Sequence, residues 1–281
     1  MRVTKRPLFL YLVPLVTTWA LVNVPPSGLS AIVDGGARVT QVTNSVQLLH
    51  PPGLPQRASV NDVVGSETVV RTGKDSRAEL TCSNQTVVRL AAHTEFNFHD
   101  GTRRLDLKTG AALVQAPKKA NGAIVRMGEV AGTVGGTTVM IEYHPGAYKF
   151  LVLEGTARLY RPGHLGDSIL LQAGQMVIGN PDSAISDPVD VDIGNFMTTS
   201  RFITNFPALP NEKTILGERQ KQQQQKLKKN LIETNLVIFG GGTQVSVIEQ
   251  EKTDETSRRA ATLLTSRRAS NPNSQASPGT Q

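Results

Sequence analysis

The chain has 281 residues, enough for one large domain or two small ones with a buried core. Its 30 basic and 23 acidic residues leave a net charge of +7, carried as +2 on residues 1–37, +1 on 38–210 and +4 on 211–281, so the middle of the chain lacks the concentrated positive charge of a nucleic-acid reader. A single cysteine, Cys82, excludes an internal disulfide framework and a cysteine-based zinc site, while 5% aromatics and 25 glycines point to a turn-rich chain.

The N-terminus has the form of an export signal. Arg2, Lys5 and Arg6 make a basic head, and Pro7 to Val24 follow with no charged residue. Ser27, Gly28, Ser30 and Ala31 supply the small residues of a cleavage region. Residues 1–31 are therefore expected to be a signal peptide cut after Ser30 or Ala31, with Ala37 as a further cleavage position. The alternative is an uncleaved signal anchor. Its 18 apolar residues sit at the lower edge of a membrane span, and Pro14, Pro25 and Pro26 weaken a rigid helix there.

Residues 38–180 read as a β-domain. Ala78, Leu80 and Cys82 alternate with polar neighbours, as do Phe96 and Phe98, and Leu105 and Leu107; Val88 and Leu90 alternate with Val87 and Arg89, and Val139, Ile141 and Tyr143 with Met140 and Glu142. This period of two puts one face on a core and the other in water. Turn glycines at Gly73, Gly110, Gly146, Gly155 and Gly174 punctuate the runs. Tyr148 to Leu153 is apolar at nearly every position and predicts a strand covered on both faces. The fold class expected is all-β, a sandwich or short solenoid of many short strands.

After Pro188 the alternation fades, and 181–210 reads as a loop-rich connector. Asn211 and Glu212 predict the start of a helix reaching about Leu231, polar all round and so solvated or weakly coiled. Residues 243–249 alternate again as a terminal strand within the segment 211–250. Residues 251–281 are Ser/Thr/Arg-rich without periodicity and are expected to be a disordered tail.

Two stretches carry a family pattern. In VVGSETVVRTGKDSRAELTCSNQTVVRL, residues 63–90, Thr72, Gly73, Ser76, Ala78, Leu80, Val88 and Leu90 fall in place. Further on, Gly136, Thr137, Val139, Val152, Glu154, Gly155, Leu171, Ala173, Gly174 and Gln175 do the same. Over residues 38–178 the chain resembles the FecR-type periplasmic regulator domain, the family of iron-dicitrate sensor regulators. The resemblance implies a fold and a kind of partner, because these positions are turn glycines and core residues with no catalytic arrangement. The family's Asp-Gly-Thr turn is replaced by Asn84-Gln85-Thr86. Gln accepts positive φ less readily than Gly, so a different turn is expected here.

Chemistry is sparse. The five histidines His50, His93, His99, His144 and His164 show no helical metal spacing. His99 and Asp100 beside Glu95 are the one candidate metal cluster, with a solvated strand end as the competing reading. Cys82 reads as a small core residue. The glycine-rich stretch 128–136 lacks the Gly-Lys-Ser/Thr ending of a phosphate loop. No nucleophile elbow is present, and no catalytic residue, cofactor or metal ligand is assigned.

The expected function is an exported, non-catalytic module of the cell envelope, periplasmic or secreted, binding or sensing a protein partner by strand addition. The partner class is an envelope protein, a receptor or a membrane signalling protein, and not nucleic acid. The resemblance implies signalling to a cytoplasmic sigma factor, but only Met1 to Arg6 precede the apolar stretch, so the external half alone is expected. A membrane-anchored signal component, held in the inner membrane, is the alternative. A glycan-binding surface module is the third reading.

Overall fold

A computed structural model describes residues 36–99, 104–120 and 122–226, with the backbone of two further strands at 233–235 and 245–248. The chain divides into two units, Met1–Ala31 and Ile32–Gln281, and the description concerns the second. The expected signal segment and the tail from 251 lie outside the described residues.

The domain is a β-sandwich, as the alternation predicts. Its strands are β1 (Ala37–Thr43), β2 (Val46–Leu49), β3 (Gln56–Arg57), β4 (Val63–Val64), β5 (Val69–Thr72), β6 (Arg77–Cys82), β7 (Val87–Leu90), β8 (Glu95–Phe98) and β9 (Arg104–Ala116). There follow β10 (Ala123–Met127), β11 (Val130–Val134), β12 (Thr137–His144), β13 (Ala147–Glu154), β14 (Thr156–Tyr160), β15 (Ser168–Gln172), β16 (Gln175–Gly179) and β17 (Val189–Asp190). Sheet A runs β4-β1-β6-β7-β9-β12-β13-β16-β17. Sheet B runs β3-β2-β5-β8-β9-β10-β11-β14-β15. All these pairings are antiparallel except β9 with β10.

Strand β9 belongs to both sheets. Its first half pairs with β8 in sheet B and its second half with β7 and β12 in sheet A. The change falls at Gly110, with φ of +92° and an added Cβ only 2.5 Å from Thr94 Oγ1. Only glycine combines that backbone with that approach.

The inward residues of both sheets form one core. Ala78, Leu80, Val88, Leu90, Val139 and Ile141 from sheet A meet Val70, Phe96, Phe98, Leu105, Leu107 and Leu159 from sheet B. Phe96 and Phe98 pack edge to face, with ring centroids 5.2 Å apart.

The outer face of sheet A departs from the sequence reading. Alternation put Val87, Arg89, Met140 and Glu142 in water, yet all are buried. Val87, Arg89 and Met140 are covered by the segment read as a loop-rich connector, which contains β17 and two helices, α1 (Ile193–Thr199) and α2 (Arg201–Thr204). Asp192 and Ser200 cap them by accepting the N–H of Asn195 and Phe202. Phe196, Met197, Phe202, Leu209 and Ile215 close a second core against Leu113, Met140, Leu151, Leu153 and Met176. Strand β13 is thus buried on both faces, as its apolar run predicts.

The polar helix α3 (Glu212–Lys226) begins where Asn211 and Glu212 placed it. It is docked rather than free. Ile215 is fully buried, and Gln222 accepts the N–H of Ile193 at 2.9 Å while donating to Val191 O at 2.5 Å. One amide thereby reads two groups of the entry to α1. The predicted strand at 243–249 is present as β19 (Val245–Ile248), paired with β18 (Glu233–Asn235).

Candidate functional site

The sequence-predicted positions do not converge on one pocket. They pin turns in two places. In the first, Thr72 donates to Ala91 O and accepts the Thr94 N–H, and the Gly73 N–H reaches Ser45 O at 2.9 Å. Ser76, fully buried, accepts the N–H of Ser45 at 3.0 Å. Ala78, Leu80 and Val139 are core.

The second group lies at the far end of β13. Gly136 and Gly155 have φ of +64° and +78°, and a Cβ at Gly155 would stand 2.6 Å from Gly136 O. Thr137 is buried beside them. Glu154 accepts Asn211 Nδ2 at 2.9 Å, and the same amide reaches Thr138 Oγ1 at 2.6 Å, so this carboxylate holds the start of α3. Gly174 donates to Val152 O and accepts from Val191. Ala173 and Gln175 line a groove against Glu218, Lys221 and Gln222 of α3.

Gln175 has a further role. Its Oε1 accepts the N–H of Gln172 on β15 at 2.9 Å. Strand β15 is the last strand of sheet B and pairs with β14 alone. The Arg161 N–H to Asp167 O bond sets the phase of this hairpin. Ile169 and Leu171 therefore bond to β14, while Ser168, Leu170 and Gln172 point their backbone groups away from it. Ser168 turns its N–H to Gly166 O and Gln172 is held by Gln175, leaving Leu170 as the open unit. Its side chain is 55% exposed. The β3 edge and the β17 edge end in two-residue strands that follow Pro55 and Pro188 and carry Arg57 and Asp190. Such strands resist pairing, whereas SILLQ has neither proline nor charge.

The titratable groups divide by burial. Lys149 Nζ lies 2.6 Å from Glu142 Oε2, with the side chains 0% and 1% exposed. Burial lowers the Lys149 ammonium from its usual range, and Glu142 opposes this. Arg89, 1% exposed, donates to Glu79 at 2.8 Å and to the carbonyl oxygens of Phe202 and Pro207, with its guanidinium 4.9 Å from the centre of the Phe206 ring. Burial lowers its pKa, against the pull of Glu79. Arg89 clamps sheet A to its helical cover, whereas Lys149–Glu142 is a cross-strand pair within sheet A. Sequence reasoning missed them, because a charge alternating with apolar residues is also the signature of a solvated strand face.

Burial pushes the Cys82 thiol up to about 12, and the residue packs against the inner core, as its alternation predicts. His99 bonds Asp106 at 2.6 Å and lies 3.4 Å from Glu67, while Arg104 also reaches Asp106. Asp106 sits among cations, and among the described residues no group of three or more His, Cys, Asp or Glu side chains could hold a metal ion. His164 is exposed in its turn, whereas His144 is half-buried against Thr109 and Glu142. The turn at Asn84-Gln85-Thr86 corrects the sequence reading. Gln85 adopts φ of +66°, so the left-handed conformation is kept without glycine, supported by Asn84 Oδ1 accepting the Thr86 N–H.

Among the described residues no helix is long and apolar enough to cross a membrane. No curated protein matches the chain in sequence. Two solved structures of a candidate anti-sigma factor from Parabacteroides distasonis ATCC 8503 are similar to it at 15% identity and a TM-score of 0.40, covering 70% of this chain and 92% and 91% of theirs. Residues 68–158 match the family described as FecR protein. That segment begins at the turn into β5 and ends within β14, and it takes in the β9 crossover. Residues 68–158 are thus similar to the FecR family, the family that the motif spacing implied.

Proposed function

We propose that this chain is an exported, non-catalytic FecR-domain module that binds or senses a protein partner in the cell envelope. The observation that carries the reading is the open edge of β15. It is a five-residue strand with its Leu170 backbone unit directed outward and no edge-blocking charge. An incoming strand would add to sheet B there, gaining main-chain hydrogen bonds from the edge and side-chain selection from its outer face. The family match supports a signalling role for such binding. The motif residues hold turns and edges, which supports a binding scaffold over an enzyme.

The test combines location with contact. The natively expressed protein is fractionated and its intact mass measured, and a photoreactive residue at position 170 is crosslinked in cells. A soluble envelope species lacking roughly 30 N-terminal residues, joined at position 170 to one defined protein, is the expected result. Leu170→Pro should abolish the crosslink obtained from position 168. Its missing N–H faces the open side, so the β14 ladder survives. A full-length species in the membrane would overturn export and leave the anchored signal component. Capture unaffected by Leu170→Pro would overturn strand addition.

A further inference from the structure

A second recognition element lies on the opposite sheet. At the β6–β7 end of sheet A the helical cover stops short, leaving a notch of about 340 Å³ between the hairpin and residues 207–210. Its lining includes Val87 and Gln115, both buried, with Pro117, Pro207 and Pro210 around them and Gln85 at the edge. Gln115 is 3% exposed, and its amide oxygen has no hydrogen-bond partner among the described residues. A buried polar atom left in this way is costly, and a ligand that completes it recovers that cost on binding.

The lining narrows the ligand. Glu79 and Arg89 also border the notch, but each is already engaged. Glu79 accepts from Arg89 and from Thr40, and Arg89 also donates to two backbone carbonyls, so the two charges are paired with each other. The site thus offers no unspent charge, and an ionic ligand would lose its hydration without compensation. Three pyrrolidine rings and Val87 make rigid apolar walls suited to a flat ring. The amide of Gln115 presents a donor at one end and an acceptor at the other, and a phenolic hydroxyl serves either end. Phenylalanine would leave Gln115 unsatisfied. Gln85 adopts a left-handed backbone at the rim, a conformation that costs an L-residue energy and tends to be kept where its position is used.

We infer that this notch receives a tyrosine side chain of a partner protein, with the ring against the prolines and the hydroxyl on the Gln115 amide. The inference rests on the reading of the chain as a protein-binding module and specifies one side chain that the partner presents. Buried amphipathic anchors of this kind dominate many interfaces.

The test uses N-acetyl-L-tyrosinamide and its phenylalanine counterpart as probes, titrated into the isotope-labelled protein and followed by NMR. Shifts confined to the Gln115 side-chain amide, Val87 and Gln85 are expected, with the phenylalanine probe weaker by about tenfold, as the loss of one hydrogen bond to a buried amide implies. Gln115→Leu should remove the preference while keeping a dispersed spectrum. Should that variant not fold, Ala208→Trp fills the notch from its exposed rim and should abolish the shifts. No shifts up to probe solubility, equal binding of both probes, or a preference that survives Gln115→Leu would each overturn the inference. A silent titration alongside a preserved crosslink at position 170 would dismiss the notch and leave the module reading standing. A full-length membrane species would dismiss that reading whatever the titration shows.

Discussion

Sheets A and B are built from the same alternating hairpins and share β9, yet sheet A is covered on both faces and sheet B on one. The difference changes what a charged residue does. On the outer face of sheet B, Arg71 and Glu95 pair at 2.7 Å while 48% and 29% exposed, and Arg158 bonds Ser168 in the open. Pairs of that kind contribute little to stability. On sheet A, Lys149 and Glu142 are fully buried against each other, and Arg89 is buried between Glu79 and the carbonyl oxygen of Phe202 on α2. Taking such charges from water is expensive, so each must be matched in place. What they supply in return is direction. Apolar contacts let helices slide, whereas Arg89 on the carbonyls of Phe202 and Pro207, Asn211 on Glu154, and Gln222 on Val191 and Ile193 admit one seating.

The largest expected effect follows from the buried pair. Lys149→Met leaves the Glu142 carboxylate buried without its cation and should lower unfolding free energy by about 3–5 kcal/mol in urea denaturation. Arg158→Met on sheet B should stay within about 0.5 kcal/mol. Replacing both members, Glu142→Leu with Lys149→Met, should recover most of the loss, because an apolar pair of similar volume carries no desolvation cost. Equal losses for Lys149→Met and Arg158→Met would show that the cover over sheet A is not closed in solution.

The contrast also explains which parts of the fold were legible in the sequence. The inner core was, because Ala78, Leu80, Val88, Leu90, Phe96 and Phe98 follow period two and one sheet face fixes that period. The two-sided burial of β13 was legible in its continuous apolar run. The cover was not. Arg89 and Glu142 look like solvated positions, and the residues that bury Arg89 lie in a segment broken by Pro188, Pro207 and Pro210. The helices there are short, and neither of the periods that betray longer elements has room to repeat. In the candidate site, the motif glycines were found as turns, but the role of Gln175 in guarding β15 depends on a strand phase that spacing does not carry. Gln115 gave no signal at all, since an orphaned amide is a property of its surroundings.

A smaller effect concerns the hairpin turns of sheet A. Gln85 between β6 and β7 and Gly146 between β12 and β13 both adopt positive φ, at +66° and +86°. At Gly146 an added Cβ meets nothing within 4 Å, so only the backbone conformation opposes a side chain there. Gln85→Gly should therefore stabilise the domain by about 1 kcal/mol, and Gly146→Gln should destabilise it by a similar amount, both read from urea midpoints. A destabilising Gln85→Gly would mean that the Gln85 side chain contributes to the folded state more than its backbone costs.

The smallest expected effect is a pH dependence, and it also separates the two sheets. His144 at the end of β12 faces Thr109 Oγ1 at 3.4 Å and Glu142 at 3.8 Å. Burial lowers its pKa below the ordinary 6.5, Lys149 lowers it further, and Glu142 pulls the other way. Between 6.5 and the lower folded value, the unfolded chain holds a proton that the folded chain does not. Stability is therefore intact above 6.5 and falls as pH drops through that window. His144→Asn should flatten the dependence of melting temperature between pH 7.5 and about 5.5, the range in which histidine titrates. His164, exposed in the β14–β15 turn of sheet B, supplies the control. If His164→Asn flattened the curve as much as His144→Asn, the acid sensitivity would not belong to the doubly covered sheet, and the physical distinction between the two sheets would fail at that point.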